Sequence, residues 1–358
     1  MATTTVADCT INVIPENDTS CTFCGETIAD WIVCACHVSR GRGNKCPNVR
    51  VKRNMRAPAA VLLISVVDFR EPAHHLMNTV VGTLKGGDVD VYLWQMTVVE
   101  AMENNVEYYL WLTSLPPHVV LHVFLVTETV FNGGWVTSTD RSLWWLPEVE
   151  LLDLVFNRDP EWSACYERLR HIYLYIVSCG GNFIPSHREP SIPHQISNWL
   201  SKTQVFDHIL AFLNPRLIIN EVQGFFTMLL TELNVHHTKF SEALVQAYCR
   251  DEAVQAHTDL LWFTGGHPPM ILRDSSGSKV AGMSPPNLCR AGCPAGGASR
   301  VKIGKGKELI WKTQCCRVKY RLDLPEHTVL PVEQQIGARS YILVEWPGVL
   351  GYTLTKVE

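Results

Sequence analysis

The chain has 358 residues, 46% of them hydrophobic and only 18% charged, with a formal net charge of -4. Its 11 Trp, 10 Tyr and 12 Phe exclude a mainly disordered protein, which would be poor in aromatics and rich in charge. A charged fraction below the usual ~25% leaves little surface for water and points to extensive contacts with partners or other subunits.

Residues 1–20 offer no basic start, apolar stretch and small-residue cleavage site in sequence, so no secretory signal is read there. The longest apolar runs, Ala59 to Val67 and Val119 to Val126, fall far below the ~18 residues a membrane helix needs. The expected location is the cytoplasm or nucleus, or a virion, with no membrane partner. The 13 Cys are odd in number and unevenly spread, which fits reduced thiols better than a disulfide framework.

Residues 1–58 are polar, Cys-rich and basic. Cys21-Thr22-Phe23-Cys24-Gly25 forms a compact metal-binding turn, and a second arm follows with Cys34-Ala35-Cys36-His37 and then Cys46. Structural zinc takes four Cys/His ligands in a closed tetrahedron, so Zn2+ is the expected cofactor. Cys21, Cys24 and Cys34 lead, while Cys36, His37 and Cys46 compete for the last place. Behind this arm, Arg40, Arg42, Lys45, Arg50, Lys52, Arg53 and Arg56 crowd residues 39–56 without one carboxylate. Such density attracts phosphates or an acidic protein surface.

Residues 59–146 read as a mixed, β-rich region. Ala59 to Phe69, Val89 to Met96 and Val119 to Phe131 are apolar runs of the kind buried strands make, with a helix expected over Val98 to Leu112. Residues 147–258 read as helical. Asp159-Pro160 starts a stripe of Trp162, Cys165, Tyr166, Leu169, Tyr173 and Ile176, and Asn214-Pro215 repeats the start signal for Arg216 to Leu233. Gln195 to Leu213 and Phe240 to His257 complete the set. From Asp259 onward, short runs at Leu260 to Thr264, Met270 to Leu272, Cys315 to Leu322 and Tyr341 to Trp346 read as strands in a β-rich part, 259–358.

This last part holds a second cysteine group, Cys289, Cys293, Cys315 and Cys316, in which a further zinc site is conceivable. Adjacent cysteines on a strand point to opposite faces, which works against it. It also holds a second basic island: Arg300, Lys302, Lys305, Lys307, Lys312, Arg317, Lys319 and Arg321, offset only by Glu308.

Two resemblances bear on chemistry. Papain-like proteases place a Cys-aromatic pair near a helix start with a distant His, and Cys165-Tyr166 with His267 resembles that pair. It implies a cysteine-protease alternative. Against it, Cys165 belongs to the apolar stripe, and Pro268-Pro269 would disrupt a strand carrying the His. The fragment Gly266 to Arg273 resembles a hairpin of metal-dependent phosphatases of the sporulation type, which need Asp-Gly metal motifs, and this chain has no Asp-Gly dipeptide.

The expected fold is α+β: a zinc-knuckle segment, a mixed β region, a helical middle and a β-rich end. The expected function is a zinc-stabilised, non-enzymatic structural or interaction protein with protein partners or self-assembly. Its low charge, aromatics, Cys, His and finger resemble the style of small viral structural or host-interaction proteins, an outer-layer capsid protein of a double-stranded RNA virus being one case. The alternatives are the Cys165/His267 protease and a sequence-tolerant duplex-RNA-binding protein acting through its basic islands.

Overall fold

The computed structural model describes residues 3–6, 9–12, 57–103, 106–130, 133–138, 144–157, 160–183, 191–275, 300–303, 309–312, 319–323, 334–336, 339–346 and 353–357. The chain divides into two units, Met1–Ala57 and Pro58–Glu358. In the first, β1 (Thr3–Val6) and β2 (Cys9–Asn12) pair as an antiparallel hairpin.

The second unit begins with β3 (Ala59–Ser65), every residue of which is buried. A short 3-10 turn leads into α1 (Arg70–Gly86), which buries Ala73, Leu76, Met77, Val80 and Leu84 at helical spacing. β4 (Val91–Thr97) follows, and Thr97 with Glu100 makes a reciprocal capping box that starts α2 (Val98–Met102). Next come α3 (Val106–Ser114), the fully buried β5 (Val120–Val126), and the hairpin of β6 (Trp135–Ser138) and β7 (Trp144–Leu146). α4 (Glu148–Phe156), α5 (Pro160–Glu167), β8 (His171–Val177), α6 (Ile192–Thr203) and β9 (His208–Phe212) continue the alternation. α7 (Gln223–Leu230) runs into a π-turn over Thr231–Val235. α8 (Phe240–Arg250) and α9 (Glu252–His257) are separated at Asp251, whose side chain accepts from the Ala253 and Val254 N–H groups and so starts a new helix.

The chain then turns to antiparallel structure with β10 (Leu260–Thr264) and β11 (Met270–Asp274). The remaining strands are β12 (Arg300–Ile303), β13 (Leu309–Lys312), β14 (Lys319–Asp323), β15 (Gln334–Ile336), β16 (Arg339–Glu345) and β17 (Thr353–Val357). Nine strands form one sheet in the order β15-β16-β11-β10-β9-β8-β5-β3-β4. β4, β3, β5, β8 and β9 are mutually parallel, and the rest pair antiparallel. The fold class is therefore α+β with a large mixed sheet. β12, β13, β14 and β17 make a separate four-stranded antiparallel sheet.

Helices cover both faces of the parallel half. Val98, Tyr108, Leu112, Leu152, Tyr166, Ile196 and Trp199 pack with Leu62, Val123 and Leu174 on one side. On the other, Phe226 meets Phe124 at 5.1 Å and Tyr175 at 5.3 Å, ring centre to ring centre.

The middle of the chain is less helical than its pattern predicts. The stripe from Trp162 to Ile176 is helix only to Glu167, because Tyr173 and Ile176 lie in β8. A strand covered on both faces is apolar at every position, so it satisfies a helical spacing by coincidence. Gln195 to Leu213 likewise divides into the end of α6 and β9. After Asn214-Pro215 no helix starts at Arg216. The Asn214 Oδ1 instead accepts from the Arg216 N–H at 2.8 Å, a local turn, and helical structure begins at Ile219.

Candidate functional site

The five parallel strands, numbered by their appearance in the chain, run 2-1-3-4-5 across the sheet. In such doubly wound sheets ligands bind outside the carboxyl ends of the strands, near the point where strand order reverses. Here that point lies between β3 and β5. The segments leaving β5 and its neighbour β8 are Thr127-Glu128-Thr129 and Ser178-Cys179-Gly180.

β5 and β8 pair in register, Val126 opposite Val177, so Glu128 and Cys179 emerge side by side. The Cys179 thiol is half-buried and lies beside the Glu128 carboxylate, an acceptor that favours the proton on sulfur. Burial pushes the thiol up to about 11, Glu128 adds to the rise, and a backbone contact from Leu217 opposes it. Sulfur here is a neutral thiol at neutral pH, whereas a nucleophilic cysteine needs a neighbour that favours the thiolate.

Most of the surrounding polar groups are engaged with one another, while the buried Ser178 Oγ has no hydrogen-bond partner among the described residues. Thr129 Oγ1 donates to the Cys179 carbonyl. Glu148, 5% exposed in the first turn of α4, accepts from the Gly134 N–H at 2.8 Å and from Asn182 Nδ2. The Gly180 N–H donates to the Asn214 carbonyl at 2.7 Å. The two loops that rim the crevice are thus tied together by Glu148.

A second polar group lies within the sheet. His122, fully buried on β5, sits with Nδ1 3.0 Å from the Tyr175 hydroxyl and Nε2 3.1 Å from Asn234 Oδ1. Asn234 Nδ2 donates to the Leu230 carbonyl, which leaves Oδ1 as acceptor and fixes the proton of His122 on Nε2. Burial lowers the His122 pKa to about 4, so the ring is neutral in the folded protein at ordinary pH.

No protein-family model matches this chain, and no curated protein matches it. The crevice must therefore be read from its own chemistry.

Of the sequence-derived candidates, Cys21, Cys24, Cys34, Cys36, His37 and Cys46 lie outside the described residues, as do the basic residues Arg40 to Arg56 and Cys289, Cys293, Cys315 and Cys316. Among the described residues no group of three or more His, Cys, Asp or Glu could hold a metal ion. Cys165 is 5% exposed in the core beside the Tyr108–Tyr166 hydroxyl pair. His267 stands exposed on the β10–β11 turn, where its carbonyl accepts from Ser197 Oγ at 2.9 Å. The chemistry-bearing cysteine at a strand end is Cys179. Its signal was an apolar run, His171 to Val177, leading into Ser178-Cys179-Gly180-Gly181, and it is visible only once that run is read as a strand.

Also among the described residues, no helix is long and apolar enough to cross a membrane.

Proposed function

We propose that the protein works by binding rather than by turnover, as an interaction protein whose Cys21 to Cys46 segment is stabilised by one zinc ion. The observation that carries this reading is the Cys179–Glu128 pair. The thiol stands at the carboxyl end of β8, one strand from the switch point, yet its partner is an acceptor that favours the proton on sulfur. The neighbouring Gly180 N–H is engaged by the Asn214 carbonyl and so offers no free donor for an oxyanion.

The edge of the sheet supports the same reading. Among the described residues, β4 ends the nine-stranded sheet with Val-Tyr-Leu-Trp-Gln-Met-Thr, a strand without charge or proline, and exposes Tyr92 by 39% and Leu93 by 40%. Edge strands are ordinarily shielded by charge, proline or shortness, because their open N–H and C=O groups recruit other strands. The opposite edge follows that rule, since β15 has three residues.

The test is alkylation of Cys179 by iodoacetamide, followed by peptide mass spectrometry as pH rises. Slow labelling at pH 7, rising only toward the alkaline range of the thiol, is expected. Labelling at pH 7 as fast as that of a low-pKa active-site cysteine would overturn the reading. Glu128→His should speed labelling at pH 7 by at least tenfold, because an imidazolium favours the thiolate that a carboxylate opposes.

A further inference from the structure

The four-stranded sheet sorts the five described members of the C-terminal basic island onto one face. Its register sets Arg300 opposite Lys312, and Lys312 opposite Lys319. Two residues along, Lys302 is opposite Ile310, and Ile310 opposite Arg321. Directly paired residues and residues two apart share a face, so these five basic residues belong to one face of β12, β13 and β14. β17 completes that face with Thr353, Thr355 and Val357, and Asp323, at the end of β14, is its one carboxylate among the paired positions. The alternate positions, Val301, Ile303, Leu309, Trp311, Tyr320, Leu322 and Leu354, make the other face mostly apolar, with Lys356 beside Tyr320 as its one charged residue among the paired positions.

Three like charges in one cross-strand row oppose the sheet that carries them, since facing like charges are destabilising. Neighbouring strands lie about 4.8 Å apart and alternate residues along a strand about 7 Å apart, so the array is dense and regular. Such a lattice matches a surface of closely spaced fixed anions.

We propose that this face binds the phosphate backbone of a nucleic-acid duplex, independently of base sequence. Duplexes carry one charge per ~1.7 Å of axis, the density the array needs. Single strands would be held by base stacking, but Trp311 and Tyr320 fall on the opposite face. An anionic membrane would require large apolar or aromatic anchors among the basic residues, and the paired positions of this face offer only Ile310 and Val357. The proposal takes the binding reading one step further, to a partner, and its test is independent of Cys179 labelling.

The experiment measures anisotropy of labelled duplex DNA and duplex RNA, about 20 base pairs each, with the full chain. With five phosphates neutralised, affinity should fall roughly 500-fold between 50 and 200 mM salt. Lys312→Glu places a carboxylate between Arg300 and Lys319 and should hold or raise the melting temperature while weakening binding at 50 mM salt at least tenfold. Lys319→Gln, at an exposed position, removes one charge and should lower the salt slope by about one. Equal behaviour of DNA and RNA assigns the phosphates as the ligand, and a preference for RNA adds the 2′-hydroxyl. Absence of binding at 50 mM salt overturns the proposal. So does binding unaffected by both sheet variants but lost in Arg50→Glu/Lys52→Glu/Arg53→Glu, and so does binding confined to phosphatidylserine vesicles.

Discussion

His122 and Asn234 are 112 residues apart in the chain and meet at 3.1 Å, joining the centre of the sheet to the π-turn after α7. The contact uses the neutral ring, and burial, the largest influence, keeps that ring neutral down to about pH 4. An unfolded histidine takes up its proton near pH 6.5.

Stability should therefore be complete above about pH 6.5 and fall as pH drops toward 4, because only the unfolded chain binds the proton in that window. The loss through His122 is on the order of 3 kcal/mol, and His208, also lowered to about 4 by burial, acts in the same direction. Urea midpoints between pH 7 and 4.5 measure this. A flat profile would refute a buried neutral histidine.

Gly180 should tolerate no side chain. An added Cβ would stand 2.1 Å from the Phe212 carbonyl oxygen and 2.6 Å from the Leu213 backbone, in a segment held by the Gly180–Asn214 hydrogen bond. Gly180→Ala is expected to cost at least about 3 kcal/mol, as overpacking against backbone does. Gly181→Ala, whose Cβ would meet only Pro215 at 3.8 Å, should leave the denaturation midpoint nearly unchanged.

Cys165→Ala is expected to lower stability by about 1 kcal/mol, a common point-mutation cost, and His267→Ala to change it by less. Neither should alter the rate at which Cys179 is alkylated. Loss of a processing event in both variants would instead revive the protease alternative.

Replacing Cys21 and Cys24 with Ser should remove about one zinc per chain by native mass spectrometry. Chelation should leave the nine-stranded sheet folded, since its core is drawn from residues after Pro58. Unchanged metal content in the double variant, or a parent chain without zinc, contradicts the zinc assignment.

Much of the sheet is legible in the sequence, because a strand buried on both faces must be apolar throughout: Ala59–Ser65 and Val120–Val126 are such runs. The same property hid β8. His171 to Val177 is without charge or small polar residues after His171, and its Tyr173 and Ile176 also satisfy a helical spacing, so pattern alone could not separate the two.

Local chemistry along the chain thus determined the apolar runs, the β-rich end, the candidate zinc ligands and the basic island after Arg300. Tertiary structure decided which of these meet. Glu128 and Cys179 become neighbours because β5 and β8 pair with Val126 opposite Val177. Arg300, Lys312 and Lys319 share a row because of a register, and a slip of one residue would set each against the apolar face of the next strand. Hydrophobicity and residue type are properties of one position at a time. Register and strand order are set by the joint burial of many positions distant in the chain, and it is these that place a carboxylate beside a thiol and gather charge on one face.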